Sequence, residues 1–368
     1  MRGAAFTPDC LSVGGDRGDR GGWLTGRGLW AARSIWLLFG GVSVAGGVFA
    51  ALLFGGEGRV HVTGVPSVQL PLPDPAPLAE VEPDAMAASR PVAAAPVLRA
   101  LVEDGPFGPL PRIGPDGRRP LLAYARPFDL ADRRPRIAIL VVGLGLQADL
   151  TEAAIRLPGE ISLQFSAYAA DLPSWVERAR RAGHEVLLEL PMEPLDYPGN
   201  DPGPHTLLAG NPTEDNLKRL DWLLARATGY IAVAGSGARF ASSEGARPVL
   251  EVLARRGLAV IELGRTDLAA SATAFGLPYA SAPSAIDADP SSLPIDYALA
   301  GLEAEALQNG SALGIAQSYP VSLERVRLWA ASLHAKGLAL APVSAVVIEQ
   351  SGLSTEVGDA RGRDRAQG

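Results

Sequence analysis

Glu189, Glu193, Asp196, Asp201 and His205 crowd into one short stretch of the chain, and Arg239 follows not far downstream. Four carboxylates beside one imidazole permit two kinds of chemistry. A hard cation such as Mg²⁺ or Ca²⁺ accepts oxygen ligands alone, so the acids could hold one. Zinc favours nitrogen and sulfur donors, for which a single imidazole among scattered acids is a poor set. The other possibility is recognition, with carboxylates and imidazole hydrogen-bonding sugar hydroxyls or a peptide. A plainer structural reading competes with both. Glu193 and Asp201 each stand next to prolines, where a carboxylate caps the N–H groups of a turn. Arg239 is suited to pair with Glu193 and hold a loop rim. Asp287, in SAIDADP, fits a turn or helix cap better than a general base.

The rest of the inventory narrows the choice. The chain has four histidines, and only His205 lies among the acids: His61 is in a proline-rich stretch, His184 precedes a strand pattern, and His334 belongs to a surface-type helix. There is no GxSxG elbow, no P-loop glycine pattern and no CxxC pair, so nucleophilic-serine, nucleotide and redox chemistries have nothing to rest on. The single cysteine, Cys10, excludes an intrachain disulfide. A formal net charge of -7 and a pI near 5.3, with no clustered Lys and Arg, argue against nucleic acid as a partner. Trp175, Trp222 and Trp329 each fall in helical patterns among apolar neighbours, which makes them core residues rather than sugar-stacking platforms.

The elements that must position these residues occupy 136–348. Short apolar runs at 137–142, 161–165, 186–190, 230–233, 260–263, 313–316 and 338–342 read as buried strands. Amphipathic stretches at 172–182, 246–256, 296–307 and 321–336 alternate with them, the signature of repeated βα units. In NPTEDNLKRLDWLLARATGY, Asn211 is placed to cap a further helix, Pro212 suits its first position and Glu214 the capping box. Gly229 then stops it.

Ahead of this domain the composition changes twice. Residues 35–54 read IWLLFGGVSVAGGVFAALLF, without a charge and long enough to span a bilayer. Arg2, Arg17, Arg20, Arg27 and Arg33 precede that run, so the positive-inside rule predicts a cytoplasmic tail over 1–34 and an outward-facing remainder. Residues 55–135 are rich in Pro and Ala and lack sustained apolar periodicity, which predicts a semi-rigid stalk. Its last part holds Leu122, Tyr124 and Phe128, expected to dock on the domain. Residues 349–368 read as a disordered tail.

The blocks LPMEP and NDPGP, within HEVLLELPMEPLDYPGNDPGPHTLL, together with RIAILVVGLGL, GARF and ALGIAQSYPVSLERV, resemble the divergent polysaccharide deacetylases. That resemblance implies a deformed (β/α) barrel of about seven strands, closed or nearly so. It also implies a divalent metal such as zinc, held by one carboxylate and two imidazoles, which polarises an acetamide carbonyl and acidifies bound water. In this chain Val142 and Gly143 fall where an acidic pair would be expected, and Gly235 and Gln317 fall at histidine positions. Glu189 stands where some relatives carry histidine. No cofactor is therefore expected.

The reading that follows is a single-pass inner-membrane protein with a periplasmic, non-catalytic deacetylase-like barrel that binds polysaccharide, peptidoglycan or an envelope protein. The alternatives are an active metal-dependent deacetylase or hydrolase on N-acetylated polysaccharide, through an unfamiliar site near Glu189, Glu193, Asp201 and His205, and a structural envelope protein acting through its outer surface.

Overall fold

The computed structural model describes residues 96–352 apart from 265, 267 and 284. The expected cytoplasmic tail and membrane span, the stalk up to residue 95 and the C-terminal tail beyond residue 352 lie outside the described residues, while Glu349 and Gln350, expected in that tail, close the last helix instead. Among those described, no helix is long and apolar enough to cross a membrane.

The described chain opens with an antiparallel hairpin, β1 (Val102–Gly105) and β2 (Gly108–Pro111), followed by the short helix α1 (Pro120–Ala123). Then come β3 (Arg136–Leu144), α2 (Ala148–Ile155), β4 (Ser162–Phe165), α3 (Leu172–Arg181), β5 (Val186–Glu189) and α4 (Thr213–Leu224). These are succeeded by β6 (Ala232–Gly235), α5 (Ala238–Ala241), α6 (Ala246–Arg255), β7 (Ala259–Leu263), α7 (Leu268–Ala274) and β8 (Tyr279–Ala282). The chain finishes with α8 (Ser292–Asn309), β9 (Ser311–Gln317), α9 (Pro320–Ser332), β10 (Ala339–Leu340) and α10 (Val343–Gln350).

All pairings in the main sheet are parallel. Strands β3 to β8 follow one another side by side, and β9 lies along the other edge of β3 over its whole length. A parallel bridge between Ala285, just beyond β8, and Ile315 of β9 brings the two ends of this seven-stranded array together. The result is a nearly closed parallel barrel, as the resemblance implied. Strand β10 pairs only with Arg136 and Ile137, at the start of β3.

Two of the strand expectations need correction. The barrel strand Tyr279–Ala282 went unread, because its sequence YASA has no β-branched residue. The run 338–342 contributes only Ala339–Leu340, because Pro342 already caps α10. The N-cap of α4 is Pro212 rather than Asn211, and no side chain caps it.

Alternation along the strands builds two cores. Ile137, Ile139 and Val141 of β3 face outward against the helices, whereas Ala138, Leu140 and Val142 face the barrel interior. A strand buried on both faces must be apolar throughout, which is why β3 reads as one continuous hydrophobic run. Each such Leu, Ile or Val contributes about 1.5–3 kcal/mol on burial. The interior is narrow, filled by Ala232, Ala234, Ala280 and Ala282 against Leu140, Ile261, Leu313 and Ile315.

The N-terminal end of this barrel is plugged. Val343, Val346 and Val347 of α10 join Leu101, Leu121 and Tyr124 in the interior core. Of the side chains expected to dock, Tyr124 is buried, while Leu122 and Phe128 are half-buried. Phe128 lies under the Arg136 guanidinium at 5.4 Å. Glu185, fully enclosed just before β5, clamps the plug: its carboxyl group accepts from Arg126 N (2.9 Å), Ser344 N (3.0 Å), Ser162 Oγ (3.3 Å) and Ser344 Oγ. With that end closed, the mouth among the described residues lies at the C-terminal ends of the strands, the end where sites on such barrels are built.

Candidate functional site: the barrel mouth

Strand parity decides which side chains line the mouth. Val142 on β3, Gln164 on β4, Glu189 on β5 and Gln317 on β9 share the inward phase of their strands. Glu189 is half-buried, and burial raises its carboxyl above the ordinary glutamate value while a hydrogen bond with Ser166 partly offsets this. Gln164 is buried in the interior. Its Nε2 donates to Ala234 O at 2.9 Å and its Oε1 accepts from Gly143 N at 3.3 Å, so one amide floors the mouth from β3 to β6.

The other predicted acids sit on the long loop between β5 and α4, and the carboxylates of Glu193 and Asp201 are engaged in holding it. Glu193 is buried. Its Oε2 accepts from Ala209 N at 2.6 Å and its Oε1 lies 3.5 Å from Arg239 Nη1. Arg239 also donates to Leu195 O at 2.7 Å. Asp201 Oδ1 accepts from Gly203 N two residues on, a self-contained turn. Asp196 is exposed and accepts from Gly199 N through its backbone carbonyl.

His205 turns to an aromatic neighbour, its ring stacked on Trp222 at 3.6 Å between centroids and 5° between planes. Burial first, and then Arg219 and Arg226, hold its pKa below the ordinary value. The loop therefore does not bring Glu193, Asp196, Asp201 and His205 together around one point.

The three tryptophans divide. Trp329 is buried in the core and donates to Glu303 Oε1 at 2.8 Å. Trp175 and Trp222 are half-buried, packed against the outer core and each carrying an arginine, Arg178 and Arg226 respectively, on its ring. Asp287 caps neither a turn nor a helix: buried, it ties the end of β9 to α9, its Oδ2 accepting from Gln317 N (2.7 Å) and Ser322 Oγ (2.5 Å). His334 lies in an exposed turn after α9.

The metal implied by the resemblance can be tested against the side chains at the positions concerned. Val142 and Gly143 offer no donor, and Gly143 has a φ of 76°, a left-handed backbone that side chains rarely adopt. Gln317 presents an amide, whose Oε1 lies over Gly143. A Cβ added to Gly235 would overlap the carbonyl oxygen of Leu190, so no side chain fits there without moving the backbone. Among the described residues, no three His, Cys, Asp or Glu side chains converge as a metal-binding group. These residues do not fit a divalent ion.

Gln164 and Ser166 were missed in the sequence because an isolated amide and hydroxyl carry no motif; only the alternation of β4 could have shown that both point inward. Also missed were Leu146, Leu195 and Tyr319, exposed by 62%, 69% and 45% in the loops that follow β3, β5 and β9. They put large apolar groups around a polar mouth.

Comparison with known proteins gives this architecture a family. The model for "Divergent polysaccharide deacetylase" matches residues 139–347. A crystal structure of an uncharacterized protein from Agrobacterium tumefaciens C58 is 38% identical, with a TM-score of 0.63, covering 65% of this chain and 99% of that one. A designed cube-shaped protein cage matches at 14% identity and a TM-score of 0.30, over 64% of this chain and 79% of its own. A putative fructose-1,6-biphosphate aldolase from Coccidioides immitis matches at 16% and 0.29, over 63% and 91%. No curated protein matches the chain. The family match spans the barrel from β3 into α10, and on that ground the chain belongs to the divergent polysaccharide deacetylase family.

Proposed function

We propose that this chain is a membrane-anchored envelope protein whose barrel binds glycan at its mouth without catalysing deacetylation. The observation that carries the non-catalytic reading is the obstruction at Gly235, where the Leu190 carbonyl fills the space a metal-binding side chain would need. The carbohydrate association of the family and the make-up of the mouth support glycan as the ligand. Amide and carboxyl groups of Gln317 and Glu189 suit hydroxyl and acetamido groups, and the Leu146, Leu195 and Tyr319 rim suits the apolar faces of sugar rings. The uncharged run at 35–54 and the arginines before it support a single-pass anchor with the barrel outside the cytoplasm.

One observation favours a second reading. Glu189 combines a raised pKa with a hydroxyl neighbour at the mouth, the profile of a general acid–base. An active hydrolase built on it would act without the family's metal.

The purified full chain, assayed for metal content and for acetate release from N-acetylated oligosaccharides while its tryptophan fluorescence is titrated with them, separates these readings. Saturable fluorescence change without acetate release is the expected result. Stoichiometric zinc with acetate release overturns the non-catalytic reading, and metal-independent release abolished by Glu189→Gln establishes the second. No saturable change, together with a captured protein partner, moves the role to the outer surface.

A further inference from the structure

The mouth carries acid without a matching base. Glu189 lies half-buried on the inward phase of β5, and no charged group among the described residues acts on it; burial and the Ser166 hydroxyl set the state of its carboxyl. Arg239, the arginine of the rim, is committed to Glu193 and to the carbonyl of Leu195. Arg219 on α4 and Arg226 just after it are turned to the carbonyls of Thr206, Ala167 and Ala169. Beside Gln317, Asp287 adds a second carboxyl group, 3% exposed, whose Oδ1 has no hydrogen-bond partner among the described residues. Withdrawing a carboxylate from water without a counter-ion is costly, so this end of the barrel is poised to receive positive charge.

The free hydrogen-bonding capacity points the same way. Both ends of the Gln164 amide are spent, on Ala234 O and Gly143 N. What remains is the Glu189 carboxyl and the half-buried amide of Gln317, in which acceptor sites outnumber donors. An ammonium group brings three donors, no acceptor and the missing positive charge. An acetamido group brings one donor and one carbonyl, and leaves the charge uncompensated. Carboxylate or phosphate substituents would set a like charge against Glu189.

Resting on the reading that the mouth binds glycan, we propose that it selects sugars bearing free amines over their N-acetylated forms, with Glu189 making the distinction by pairing with the sugar ammonium. Hydrogen bonds between ionised partners are roughly twice as strong as neutral ones, which is the source of the selectivity. Hydrolysis of an acetamido group, with acetate as the other product, is the class of reaction that supplies such a sugar. The chain thereby reads what a catalytic deacetylase leaves behind.

Calorimetric titration of the full chain in mild detergent tests this. Tetramers of glucosamine and of N-acetylglucosamine are compared in a buffer acidic enough to keep the sugar amines charged. The amino form should bind about tenfold or more tightly than the N-acetylated form, the worth of one charge-assisted bond. Glu189→Gln keeps the shape of the side chain and removes its charge, and should abolish the preference by weakening the amino form alone. Gln317→Glu adds a carboxyl group to the mouth and should widen the preference, which keeps the test decisive if Glu189→Gln fails to fold. Equal affinities, or tighter binding of the N-acetylated form, overturn the inference and leave glycan binding standing. Binding of neither form overturns the glycan reading and the inference with it. A preference for the amino form that survives Glu189→Gln is general attraction to a chain of net charge -7, and it too overturns the assignment.

Discussion

Gln164 and Ala234 are tied across the barrel interior by a 2.9 Å hydrogen bond from the amide Nε2 to the backbone carbonyl, although their strands are not neighbours in the sheet. The same carbonyl accepts Leu190 N at 2.8 Å, so both of its lone pairs are used. Gln164→Leu keeps the size of the side chain and removes the amide. Ala234 O would retain one partner while Gly143 N loses the side-chain acceptor, and the expected cost is about 1–2 kcal/mol. Urea unfolding measures it. A neutral or stabilising effect would mean that the bridge is incidental to the barrel.

Restoring the imidazole that the family pattern calls for at Gly235 should fail. Gly235→His must push against the Leu190 backbone, so overpacking of about 1–3 kcal/mol is the expected penalty. Metal content should not rise, because Val142, Gly143 and Gln317 still supply no carboxylate or imidazole. Thermal melting and elemental analysis of the variant read the two outcomes separately. A stable variant that holds zinc at unit stoichiometry would show the mouth to be one residue away from a metal centre.

These two contacts also show where the sequence stops being informative. The βα alternation was legible because strands such as β3 bury both faces and are apolar along their whole length. The loop-fixing role of Glu193 was legible too, since a carboxylate beside prolines has nearby N–H groups to cap. Tyr279–Ala282 was not legible: the interior needs small Ala280 and Ala282 there, and small side chains carry no strand signature. Nor was the mouth floor, because Gln164 finds its partners on β3 and β6, and the obstruction at Gly235 comes from the chain after β5. Contacts between distant segments leave no trace in local spacing.

Beneath the barrel, the Glu185 clamp gives stability a pH dependence. Burial raises its carboxyl above the ordinary value of 4.5, while bonds from Ser344, Arg126 and Ser162 oppose the rise. The folded state thus keeps the proton where the unfolded chain has released it. Its stabilisation is complete below about pH 4.5 and is lost as the pH climbs through the folded-state value, by no more than about 1.4 kcal/mol per pH unit. Glu185→Gln should flatten this part of the profile. It should also lower stability by about 1–3 kcal/mol, because an NH₂ then faces a backbone donor.

Neighbouring His184 titrates with the opposite sense, since burial lowers its pKa and costs stability as the pH falls. That contribution is common to both proteins and cancels in their difference. Urea midpoints from about pH 4 to pH 8 give the difference profile. A wild-type advantage that grows with pH would show that hydrogen bonding outweighs burial at Glu185.

At the rim, Glu193 has two partners of unequal worth. The bond from Ala209 N reaches a buried carboxylate at 2.6 Å, and losing such a charge-assisted bond costs about 1.5–3 kcal/mol. Arg239 stands 3.5 Å away with its side chain 48% exposed, where an ion pair contributes about 0–1 kcal/mol. Glu193→Ala should therefore destabilise well beyond Arg239→Ala and should speed hydrogen exchange at the Ala209 amide, while Glu193→Gln, which keeps an acceptor, falls between. Equal losses for the two alanine variants, with Ala209 still protected, would reverse the assignment. The rim would then be held by charge pairing, and its stability should weaken with added salt.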